Sequence, residues 1–94
     1  MNGKGENFDE MSEMEDLVLD ELYLLISFDE LLSLFDRTEK ELVETLNNLF
    51  VKKWLKCYDS HGDQLDDEKI DLNLSYGNYH YLATKAGLKA HNSM

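Results

Sequence analysis

Residues Thr38 to Lys53, TEKELVETLNNLFVKK, read as a helix with an abrupt start and one buried side. Leu42, Leu46, Leu49 and Phe50 recur at spacings of four, three and one, so they line a single helical face. Thr38 precedes Glu41 by three residues, the capping-box pattern. In it the hydroxyl accepts from the helix's third N–H, and the carboxylate accepts from the cap's own N–H. Trp54, Leu55, Cys57 and Tyr58 follow directly and read as a strand. A helix that runs straight into a strand needs partners covering both, and the rest of the chain must supply them.

Upstream, two more capping boxes divide the chain. Ser12 with Glu15 opens a helix expected over about residues 9 to 25, although Asn7 with Glu10 offers an earlier start. Met11, Met14, Val18, Leu22 and Leu25 keep helical spacing, and Leu17, Leu24 and Ile26 widen the apolar face. That face is broader than one neighbour needs. Burial within the domain and a homodimer contact through this helix are both open. Ser27 with Glu30 opens a short helix, about 28 to 35, expected to bury Leu31, Leu32, Leu34 and Phe35, with Ile26 stapled onto Leu31. Asp36-Arg37 then links it tightly to the Thr38 helix, giving a helix-turn-helix pair.

Downstream, Ser60-His61-Gly62-Asp63 is a turn signal. Residues 63–78 are acidic and irregular; Ile70, Leu72 and Leu74 alternate as part of a second strand would. Tyr79 to Ala83 reads as a further strand, and Thr84 caps a last short helix with Leu88 pointing inward. Residues 1–7 are polar, hold two glycines and are expected to be disordered; residues 8–94 are expected to form one domain.

At this order of elements the chain resembles the winged helix-turn-helix family. The residues that carry the likeness are SFDELLSLFDRTEKELVETLNNLF, the exit VKKWLKCY, and YHYLATKAGLKAH, which is similar to the tyrosine, leucine-threonine, glycine pattern after the wing of many small bacterial and archaeal regulators. The resemblance spans about residues 12 to 91. It implies an α+β fold: a three-helix helix-turn-helix core, a β-hairpin wing and a short C-terminal helix. It also implies that the third helix enters a DNA major groove while the wing touches backbone or minor groove. Two departures stand out. Lys52-Lys53 occupy the place where many members carry glycine, and the wing holds Asp59, Asp63, Asp66, Asp67, Glu68 and Asp71.

Charge bears directly on that expectation. The net charge is −11, opposite to the lysine- and arginine-rich surface that duplex DNA usually requires. Residues 1–20 hold one base and seven acids, whereas residues 38–58 hold four lysines and three acids. The central helix and strand are thus the least acidic internal part of an acidic molecule. The outward face of the helix presents Glu39, Lys40, Val43, Glu44, Asn47, Asn48 and Val51. As a DNA surface, Lys40, Lys52 and Lys53 would meet phosphates, Asn47 or Asn48 would pair with adenine, and Glu44 would accept from cytosine. As a bland surface, the same face is simply solvated.

Other chemistries find less support. Cys57, His61 and His80 lack the paired spacing of a zinc site, and Asp59, Asp63, Asp66 and Asp67 do not match the calcium-loop pattern with its central glycine and final glutamate. No nucleophile stands in a spacing that ties it to a base, and no glycine loop cradles phosphate, so no enzyme activity and no cofactor are expected. Tyr76, Tyr79 and Tyr81 either stack on bases or fill the core or rim of a small sheet. The longest apolar run, Leu22 to Ile26, is five residues, far short of a membrane span, and the first ten residues lack a secretory pattern. One cysteine fits a reducing cytoplasm. The leading expectation is a small cytoplasmic regulator-type module that binds DNA. The rival is an interaction module of the same shape whose acidic surface meets a basic protein partner.

Overall fold

A computed structural model describes residues 10–93, so the expected disorder of residues 1–7 lies outside the described residues. The described residues are α+β, with four α-helices and one three-stranded antiparallel sheet. In order these are α1 (Glu13–Glu21), β1 (Ile26–Ser27), α2 (Phe28–Ser33), α3 (Glu39–Val51), β2 (Leu55–Tyr58), β3 (His80–Ala83) and α4 (Lys85–Asn92). The sheet order is β1-β3-β2, a layout compatible with that of a winged helix. Ile26 faces Tyr81 and Cys57 faces the same Tyr81 from the other side, so β3 is the central strand.

All three expected capping boxes form. Ser12, Ser27 and Thr38 each accept from the N–H three residues on, and Glu15, Glu30 and Glu41 each reach back to the cap. The Thr38 backbone N–H, followed by its hydroxyl, holds the Glu41 carboxyl below the usual carboxylate range. Thr84 caps α4 by accepting from Gly87 N–H at 3.0 Å.

The core gathers one face from each of the first three helices. Val18 and Leu19 come from α1 and Leu22 from its C-cap, Phe28 and Leu31 from α2, and Leu42, Leu46 and Leu49 from α3; Trp54, Leu55, Cys57, Tyr79, Tyr81 and Ala83 come from the sheet region. Tyr79 and Tyr81 are therefore core residues, not stacking platforms. The Tyr81 hydroxyl donates to the Tyr76 carbonyl at 2.6 Å, and burial pushes its pKa upward.

Four expectations need correction. Helix α1 ends at Glu21, not near residue 25. The Leu22 carbonyl accepts from Ala83 N–H at 2.9 Å, and the chain then extends so that Ile26–Ser27 can pair with β3. Ile26 is thus a strand residue, and Leu17, Leu24 and Leu25 are exposed. Helix α2 stops at Ser33, which leaves Leu34 about half exposed (51%) instead of buried. Ile70, Leu72 and Leu74 form no strand. The Asp71 carboxylate accepts from the N–H groups of Asn73 (3.1 Å) and Leu74 (3.2 Å), and this local turn outcompetes a ladder. Leu72 is buried while Leu74 points outward.

The acidic segment does not stand out as a simple wing. Its tip is an Asx turn: Asp59 accepts from His61 N–H (2.8 Å) and Asp63 N–H (3.0 Å), with Gly62 in the left-handed region at φ 87°. These bonds, Asp63's first, lower the Asp59 pKa. Gln64 returns beside Tyr58 on the edge of β2 away from β3. The chain then passes through two short 3₁₀ turns, Asp67–Lys69 and Tyr76–Asn78, on its way to β3.

Candidate interaction surface

The outward face of α3 is the floor of a trough. Glu39, Lys40, Val43, Glu44 and Asn47 line it from the helix, and Asn73 and Tyr76 close it from the loop before β3. The hollow measures about 460 Å³. An adjoining hollow of about 300 Å³ shares the Glu39 and Tyr76 walls and adds Phe28, Asp29, Leu74, Gly77 and Asn78.

Two straps hold the loop against α3. Asn47 Nδ2 donates to Asn73 Oδ1 at 3.0 Å. The Tyr76 hydroxyl donates to Glu39 Oε2, and that bond raises the Tyr76 pKa. The loop's position is set from below as well. Leu72 is buried, Asp71 N–H donates to the Tyr79 hydroxyl at 3.0 Å, and the Tyr76 ring tilts against Phe28 with centroids 4.8 Å apart.

Of the residues expected to contact DNA, the structure gathers three and separates three. Lys40, Glu44 and Asn47 share the trough. Asn48 is exposed but does not line it. Lys52 turns inward: its ammonium sits 2.8 Å from both oxygens of Glu15 and 2.6 Å from the Glu10 carbonyl, and lies 4.8 Å from the centre of the Trp54 ring. Glu15 is only 3% exposed, so this lysine is committed to neutralising a buried carboxylate. Lys53 points to solvent and pairs with Asp67 at 2.9 Å, both side chains being well exposed. Val43, placed outward by its spacing, is half-buried against the core.

Sequence reasoning missed Glu15, Asn73 and the second role of Tyr76. Glu15 carried only its capping signal, and its lysine lies 37 positions away. Asn73 had no signal at all. As for other chemistry, Cys57 is fully buried and desolvation pushes its thiol up to about 12. Among the described residues, no three His, Cys, Asp or Glu side chains are grouped to hold a metal, and no helix is long and apolar enough to cross a membrane. Compared with protein-family models, with curated proteins and with solved structures, the chain finds no match in any of the three.

Proposed function

We propose that this chain is a winged-helix protein-interaction module of the cytoplasm, which uses its acidic surface to meet a basic partner and does not insert α3 into duplex DNA. The observation that carries this reading is the loop strapped alongside the outward face of α3. The major groove is about 12 Å wide, and a single helix with its side chains fills roughly 10–12 Å of it. A helix with a second segment bound alongside its reading face does not fit that space. Electrostatics agrees. Lys52 is spent on Glu15, and the net charge is −11.

The regulator reading draws on Lys40 and Lys53, which are exposed in the least acidic internal part of the chain. One experiment separates the two. Fluorescence anisotropy is measured with a labelled random duplex pool and with a lysine- and arginine-rich peptide, each at low and moderate salt. The interaction module predicts peptide binding that weakens with salt and no duplex binding. Duplex binding with a steep salt dependence, in the absence of peptide binding, would overturn it.

A further inference from the structure

We infer that the trough between α3 and the Asn73–Tyr76 loop is the docking site, and that its occupant is a short protein segment with an apolar residue flanked by arginine or lysine. This rests on the interaction-module reading and names the site and chemistry within it.

Charge complementarity selects the occupant's sign. The two adjoining hollows are lined by Asp29, Glu39 and Glu44 against the single cation Lys40. An anionic ligand meets net repulsion there, whereas cations spaced along a peptide meet a carboxylate at the middle and at either side. Glu39 takes the Tyr76 hydroxyl on Oε2, which leaves its other oxygen to receive a guanidinium or ammonium.

The apolar anchor follows from the walls between those carboxylates. Val43 is half-buried on the floor of the larger hollow, Tyr76 walls both hollows, and Leu74, 82% exposed, lines the adjoining one. An aliphatic side chain laid between them removes apolar surface on both partners from water. The Asn47–Asn73 strap also suits a peptide backbone. It uses one amide N–H of Asn47 and the carbonyl oxygen of Asn73, so Asn47 Oδ1 and the Asn73 amide protons can pair with a peptide N–H and C=O.

The test uses the full chain labelled with nitrogen-15 and three synthetic peptides: arginines around a central leucine, the same with glutamate for arginine, and the same with serine for leucine. The inference expects the arginine–leucine peptide to shift the side-chain amide signals of Asn47 and Asn73 saturably. The glutamate peptide should leave them unmoved, and the serine peptide should bind more weakly. Glu44→Lys, an exposed helix position, should weaken binding roughly tenfold, and Leu74→Ser by a few-fold. If the arginine–leucine peptide binds but shifts only residues 59–68, with Glu44→Lys without effect, the trough is overturned and the interaction module stands. If neither cationic peptide binds, both are overturned; if duplex DNA moves the same amide signals, the module reading is overturned in favour of nucleic acid.

Discussion

Lys53 stands where the winged-helix resemblance leads one to look for glycine, and the backbone there explains the preference. Its φ is 67°, the one non-glycine residue in the left-handed region among those described. The helix exit is a full Schellman motif. Trp54 N–H donates to the Leu49 carbonyl at 2.9 Å, and Lys53 N–H to the Phe50 carbonyl at 3.0 Å. The fold therefore imposes a conformation that a side chain resists. Lys53→Gly should stabilise the protein by about 0.5–1 kcal/mol, less than the full strain because glycine also loosens the unfolded chain. Urea unfolding would show this as a higher midpoint with an unchanged slope, and a lower midpoint would contradict it. Gly87 makes the opposite case. Any Cβ there would run into the Trp54 carbonyl, so the glycine of TKAGLKAH is required by close approach, not by dihedral angle. That pattern was visible in the sequence, but its cause was not, because Trp54 lies 33 positions away.

At the scale of elements, what could be read was local and what could not be read was remote. Helix starts were legible because a capping box lies within four residues, and α3 was legible because its apolar spacing is dense. The two-residue β1 had no pattern of its own; it exists because β3 offers an edge. The 70–74 segment mimicked a strand by alternation, but the Asp71 turn and the Tyr79 hydroxyl took its backbone groups. The trough was half legible for the same reason, its helix side from spacing and its loop side not at all. The joint between α1 and α3 is equally remote, and it yields a prediction. Glu15→Gln keeps a capping side chain but leaves the Lys52 ammonium without its counter-charge; Lys52→Met leaves the carboxylate buried. Each should cost about 3 kcal/mol, while the double variant should cost clearly less than the sum. Strict additivity in chemical denaturation would mean that the pair is not coupled.

Taken as one body, the molecule carries its charge unevenly between core and shell. Its one well-buried ion pair, among the described residues, sits between α1 and α3, while Arg37–Glu41 and Lys53–Asp67 are exposed and contribute little. The dominant exposed electrostatic effect is self-repulsion at a net charge of −11. Added sodium chloride should therefore raise the melting temperature from low ionic strength to about 0.15 M, where screening acts over roughly 8 Å. A falling melting temperature over that range would mean that exposed pairs outweigh repulsion. Such comparisons can be followed without any added dye. Cys57 is the only sulfhydryl in the chain, fully enclosed on β2 opposite Tyr81, and its proton is held tightly. An alkylating reagent reaches it only when the sheet parts. Its labelling rate is thus an internal clock for opening, one that a seated ligand would slow and a severed α1–α3 joint would quicken.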